Sequence, residues 1–132
     1  MNIFSKIFGK TKAASKSLND INDFEKISIE DFSKLSKDDR IIAIIKLGDR
    51  KQVDLNHYQI FQFAILSDTD KNVKFAALKR IHAFKEHPDL LPMMNKLKEE
   101  NNYKDLEPYF SMALNRLGLI TLEDFQKIVN GY

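Results

Sequence analysis

Ala43-Ile44-Ile45-Lys46-Leu47-Gly48, Ala77-Leu78-Lys79-Arg80-Ile81-His82 and Ala113-Leu114-Asn115-Arg116-Leu117-Gly118 are three copies of one phrase. Ala77 lies 34 residues after Ala43, and Ala113 lies 36 after Ala77. Each copy ends a stretch of helical periodicity with a small residue, an aliphatic, a base and an aliphatic. A period of this length belongs to a helix-pair unit, which cannot bury its apolar face alone and stacks on its neighbours.

Working outward from the phrases, caps and breaks divide the chain. Ser36 starts a helix over about 37–47, closed by Gly48. Asp54 starts the next, over about 55–66, with Leu55, Tyr58, Phe61 and Ile65 on one stripe. Asp68-Thr69-Asp70 turns into a helix over about 71–85, apolar at Val73, Ala76, Ala77, Ile81 and Phe84 and widened by Phe75 and Leu78, so it should be sandwiched between neighbours. Pro88 ends it, since the residue before a proline avoids the helical region. Leu90, Leu91, Met94 and Leu97 mark a helix over about 89–100, and Asn101-Asn102 breaks it. Leu106, Phe110, Ala113, Leu114 and Leu117 mark another over about 104–117, with Pro108 in its first turn and Gly118 at its close. The last runs over about 122–130 and ends at Gly131.

Before the first pair, Ile29, Phe32 and Leu35 share a face behind Ser28, and Leu122, Phe125 and Val129 do so behind Thr121. Each hydroxyl stands three residues ahead of an acid, Asp31 or Asp124, which is a close relative of the capping box.

Three helix pairs are therefore expected, over 37–66, 71–100 and 104–130, after one or two short helices. Asp70-Lys71-Asn72-Val73-Lys74-Phe75-Ala76-Ala77-Leu78-Lys79-Arg80-Ile81 resembles the HEAT family of α-helical repeats: an acidic cap, Val, a base, then paired alanines before a hydrophobic position. The resemblance covers roughly residues 36–130. It implies an all-α, short right-handed solenoid that binds another macromolecule, with an irregular helical bundle as the alternative.

Composition sets bounds on function. The 132 residues suffice for one domain with its own core, and 43% hydrophobic with 30% charged residues is ordinary for a globular chain. The chain has no cysteine, which excludes disulfides and thiol catalysis and fits a reducing, cytoplasmic setting. No apolar run approaches the ~20 residues a membrane-spanning helix needs. The net charge of +2 is uneven. Residues 1–19 hold Lys6, Lys10, Lys12 and Lys16 and no acid, so the rest carries 17 bases against 19 acids. Residues 1–20 are thus expected to be a basic arm and linker, and 21–132 a single repeat domain. A body without a concentrated basic face is not a nucleic-acid binder.

The arm sets Ile3, Phe4, Ile7 and Phe8 at helical spacing opposite Lys6 and Lys10. A partner-docking segment and a membrane-surface amphipath both fit this pattern, and so few turns bind lipid only marginally.

Catalytic signatures are lacking. The isolated Gly9, Gly48, Gly118 and Gly131 form no phosphate loop and no nucleophile elbow. Neighbouring acids, as at Asp38-Asp39, point about 100° apart on a helix and spread over its surface. His82, Glu86 and His87, with His57 from the preceding pair, are the only outline of a zinc site. Their spacing is one residue longer than the H-x-x-E-H pattern, and a helix-end histidine beside a glutamate reads more simply as a surface pair. No enzyme activity, metal or cofactor is expected.

Recognition is better served. Lys46, Arg80 and Arg116, at one position of the three phrases, would line an edge if the units stack. Arg50, Arg80, Lys85, Tyr103 and Arg116 are the candidate anchors, of the residue types that dominate interfaces. The expected function is a non-catalytic, monomeric or weakly dimeric protein-binding module. A Lys/Asn/Ile-rich chain of this size fits a bacterial immunity protein that covers a toxin, or an adaptor. The alternative is a peripheral membrane adaptor held by the amphipathic arm.

Overall fold

A computed structural model describes residues 16–131. All their regular secondary structure is helical, apart from one isolated bridge between Lys16 and Leu35. The α-helices are α1 (Ile29–Ser33), α2 (Lys37–Gly48), α3 (Tyr58–Ser67), α4 (Lys71–Leu78), α5 (Leu90–Glu99), α6 (Tyr109–Arg116) and α7 (Leu122–Asn130). Short 3₁₀ turns at Leu18–Asp20, Phe24–Lys26, Leu55–His57, Ile81–Phe84 and Lys104–Leu106 join them.

The helix starts follow their caps. The Ser28 and Ser36 hydroxyls accept from the Asp31 and Asp39 amides at 3.0 and 3.2 Å. The Asp70 carboxylate accepts from the Asn72 and Val73 amides, at 2.9 and 3.1 Å. Thr121 and Asp124 form a complete reciprocal box at the head of α7. Each cap satisfies donors that the first turn leaves orphaned.

Three helices are shorter than the periodicity predicts. The run expected over 55–66 opens as the 3₁₀ turn Leu55–His57, and α3 begins only at Tyr58. The run expected over 71–85 stops at Leu78. Lys79 and Arg80 turn, and the chain continues as the 3₁₀ segment Ile81–Phe84. Three residues per turn place i and i+3 on one side, and Ile81 and Phe84 are both fully buried by that winding. The run expected over 104–117 begins as α6 only at Tyr109. Glu107, held extended by the following Pro108, interrupts it. The Glu107 carboxylate then accepts from the Ser111 amide at 2.7 Å and from the Ser111 hydroxyl, standing in for a side-chain cap.

The stops also sort by mechanism. Gly118 (φ +78°) closes α6, with the Leu119 amide donating to the Leu114 carbonyl and its own amide to Asn115. Asn101 (φ +60°) closes α5 in the same way, its successor Asn102 donating to Leu97. Both are left-handed Schellman ends. Gly48 is not one of them. It stays helical, and a Cβ there would lie 2.9 Å from Arg80 Cβ and 3.0 Å from the Phe61 ring. Its small size admits a neighbour and does not serve a turn.

Packing follows the phrases. α2 packs on α4 and α4 on α6, so the three phrase-bearing helices lie in file with α4 in the middle. α3 packs on α4, α1 on α3, and α7 on α6. Small residues at Ala43, Ala64, Ala76, Ala77 and Ala113 bring the backbones close. Phe61 and Phe84 meet at 4.6 Å between ring centroids, and Phe32 stands edge-on to Phe63 at 6.2 Å. Each fully buried aromatic or aliphatic side chain contributes about 1.5–3 kcal/mol of apolar burial.

A largely buried ion pair ties the start of α2 to the turn between α3 and α4. Arg40 donates from Nε and Nη2 to the Asp68 carboxylate, at 2.8 and 3.2 Å, and from Nη1 to the Leu35 carbonyl at 2.7 Å. Asp68 also accepts from the Asp70 amide. Residues 16–20 lie against the body: the Lys16 amide donates to Lys34, the Leu18 amide to Asp39, and Leu18 packs on the core. Among the described residues no helix is long and apolar enough to cross a membrane.

Candidate functional site

The arginines at the ends of the phrases share a habit. Each reaches back to the segment before its own. Arg50 grips the Glu25 carboxylate with both terminal nitrogens, at 2.6 and 2.5 Å, and its Nε donates to the Lys46 carbonyl. This fork holds the Glu25 carboxyl below the usual carboxylate range. Arg80 donates from Nε to Asp49 at 2.8 Å and from Nη1 to the Ala76 carbonyl at 3.1 Å. Arg116 donates from Nη1 to the Lys79 carbonyl at 2.6 Å. Helix ends present free carbonyls and partial negative charge, so bases settle there. The lysines lie over rings: Lys46 sits 5.7 Å from the centre of Phe24 and Lys79 4.9 Å from that of Tyr109.

Where the second and third phrases end, an open pocket of about 380 Å³ forms. Gly48 and Asp49 supply one wall, Lys79, Arg80 and His82 a second, and Met112 and Arg116 the third. Gly48 has no side chain to fill the space, and Arg80 packs directly on its backbone. Asp49, the one carboxylate in the lining among the described residues, accepts from Arg80 through one oxygen. Lys79 and Arg116 have no acidic partner among the described residues. The Nε and Nη2 donors of Arg116 are likewise uncommitted among those residues. His82 is half-buried, and its Nδ1 is buried without a hydrogen-bond partner there. Its basicity is lowered first by desolvation, then by the charges of Arg116 and Lys85. The pocket is thus a fixed cluster of donors and positive charge, short of acceptors.

A larger hollow of about 590 Å³ lies among the ends of α3 and α5 and the start of α4. Its three lysines, Lys71, Lys74 and Lys96, face three acids, Asp68, Glu100 and Asp105, so it carries no net charge.

The five anchors predicted from the sequence are not brought together as a set. Arg80 and Arg116 share the pocket, and Lys85 stands exposed nearby in the turn after Ile81–Phe84, close enough to act on His82. Arg50 lines a separate hollow with Leu55, Ala83 and Glu86. Tyr103 is half-buried with its ring 5.1 Å from Phe110. Ile3, Phe4, Lys6, Ile7 and Phe8 lie outside the described residues. His82 and Asp49 were not anticipated as pocket members. The recurrence of a base at each phrase end was the only sign of the site in the sequence.

The histidines considered for zinc are employed separately. His57 is buried, its Nε2 2.8 Å from the Glu25 carbonyl. His87 stacks on Tyr58 at 4.1 Å and accepts from the Asp89 amide through Nδ1. The Tyr58 hydroxyl donates to the Asp89 carbonyl, and burial, with the Asp89 charge, pushes its pKa up to about 12. Among the described residues no three histidines or acids are grouped to hold a metal ion.

No protein-family model matches the chain, and neither the curated proteins nor the solved structures yield a match.

Proposed function

We propose that this chain is a non-catalytic protein-binding module: a short stack of HEAT-like helix pairs whose phrase-end edge covers a site on a partner. One observation carries it. Lys79 and Arg116, from successive phrases, stand at one open pocket with no acidic partner among the described residues, its Asp49 being paired with Arg80. Charges so placed steer and orient a complementary surface. The file of α2, α4 and α6 supplies the rigid support, and the back-reaching arginines fix the spacing of its ends. Arg80, Lys85 and Arg116 are the anchors at this edge, with Arg50 and Tyr103 as outlying ones. Action is by steric coverage, as a toxin-neutralising or adaptor protein requires.

The test is affinity capture from the native cell with three baits: the wild type, Lys79→Glu/Arg116→Glu, and a control reversed elsewhere, Lys96→Glu/Lys98→Glu on α5. Unchanged helicity by circular dichroism qualifies each bait. A partner held by the wild type and the control but lost by the edge variant supports the assignment. A partner held equally by all three refutes the edge.

A further inference from the structure

The chemistry of the pocket narrows what can enter it. Donors outnumber acceptors: Asp49 pairs with Arg80, and Lys79 and Arg116 meet no carboxylate among the described residues. Arg116 offers its Nε and one terminal nitrogen, a pair of donors whose spacing matches the two oxygens of a carboxylate. Lys79 adds a point charge held over Tyr109. The Nδ1 of His82, like that of His57, is buried without a hydrogen-bond partner among the described residues, and such groups are uncommon.

Apart from Gly48 and Met112, the groups that line the pocket with His82 are charged. Lys79 and Arg80 precede it in the turn after α4, Lys85 follows it, Arg116 comes from α6, and Asp49 is the one acid, from the end of α2. A second negative charge placed here would be felt by the imidazole directly.

We propose that this pocket receives a side-chain carboxylate from an acidic segment of the partner protein, with His82 tightening the grip as pH falls. The inference rests on the edge being the binding surface. The sign follows from linkage. Without an occupant, His82 is held below its ordinary pKa by burial and by Arg116 and Lys85. A bound carboxylate offsets the positive field, raises that pKa and so takes up a proton. Whatever favours the proton must then favour the carboxylate by the same factor. Acidic side chains of the peptide stay ionised at pH 6 and above, and with the peptide termini blocked the comparison with His82→Gln assigns the change between pH 8 and pH 6 to His82.

The experiment is an NMR titration of the full chain with a hexaglutamate peptide, alongside hexaglutamine and inorganic phosphate. Hexaglutamate should shift the amides of Gly48 and Arg80 and the imidazole of His82, and bind roughly three- to tenfold tighter at pH 6 than at pH 8. Lys79→Gln/Arg116→Gln should abolish the response. His82→Gln should leave binding at pH 8 and remove its pH dependence. Phosphate competing with the peptide supports a shared oxyanion site. Equal shifts with hexaglutamine, shifts spread over all lysines, or phosphate binding without peptide binding would each overturn the proposal. If capture is lost with Lys79→Glu/Arg116→Glu while hexaglutamate fails to bind, the edge stands and the acidic segment alone is wrong.

Discussion

Helices α4 and α7 make opposite use of similar material. α4 has a cap and an apolar stripe, and Val73, Ala77 and Leu78 are fully buried. α7 has the better cap, a complete reciprocal box, and a sharply divided apolar face, yet none of its residues is buried. Leu122 is 59% exposed and Val129 38%. The difference is neighbours. α4 touches α2, α3 and α6, whereas α7 packs mainly on α6. Caps and periodicity decide that a helix forms, and position in the file decides what it is worth.

The sharpest way to break this contrast is to empty the core at matched positions. Leu78→Ala removes a fully buried side chain of α4, and should cost about 2–5 kcal/mol in urea unfolding. Phe125→Ala, half-buried on α7, should cost about 1 kcal/mol or less. Comparable losses would mean that α7 belongs to the same cooperative core.

High pH probes the centre chemically. The hydroxyl of Tyr58 titrates near 12 in the folded chain and near 10 when unfolded. The unfolded state therefore gives up its proton first. The contribution is complete below pH 10 and is lost as pH rises towards 12, by about 2–3 kcal/mol. Tyr58→Phe should flatten the stability profile over that window, read by denaturant melts at pH 9, 10 and 11. An unchanged slope would show that Tyr58 ionises as freely as an exposed tyrosine.

Glycines offer a gentler comparison. Gly48→Ala sets a methyl group 2.9 Å from Arg80 Cβ and should cost about 1–3 kcal/mol by overpacking. Gly131→Ala, whose nearest atoms are carbonyl oxygens of α7 at 3.4 and 3.5 Å, should change stability by less than about 0.5 kcal/mol. The smallest effect is expected at the cap of α7. Thr121→Ala removes the acceptor for the Asp124 amide, worth about 1 kcal/mol to the helix. Because α7 buries no residue, the loss should appear as local fraying in amide exchange and leave the global midpoint almost unmoved.

The sequence made local features legible and left those set by distant neighbours dark. Ser28, Ser36, Asp70 and Thr121 cap the helices they were expected to cap, and Asp54 caps the 3₁₀ turn that precedes α3, because a cap is chosen by residues two or three positions away. The all-helical class and the bounds of α2 and α7 follow from such signals. The break after Leu78 was hidden: the apolar stripe runs on through Ile81 and Phe84, and winding tightens there while the burial pattern is kept. Gly48 looked like a helix terminator, because nothing nearby in sequence reveals that Arg80 will pack on it. His82 read as a surface pair with Glu86, and its real surroundings include Arg116, 34 residues on. The recurrence of bases at the phrase ends was visible. Which of them keep an acid and which do not depends on Asp49 and Glu25, in segments that only the fold brings near.

One file of phrase helices, with α4 at its centre, underlies both the core and the basic edge. Native-state hydrogen exchange across a denaturant series tests that file most directly. The account predicts that the amides of α4 exchange only by global unfolding, while those of α7 open by a local route at least about 2 kcal/mol lower. Amides of α7 as protected as those of α4, or α4 opening separately from α2 and α6, would contradict it.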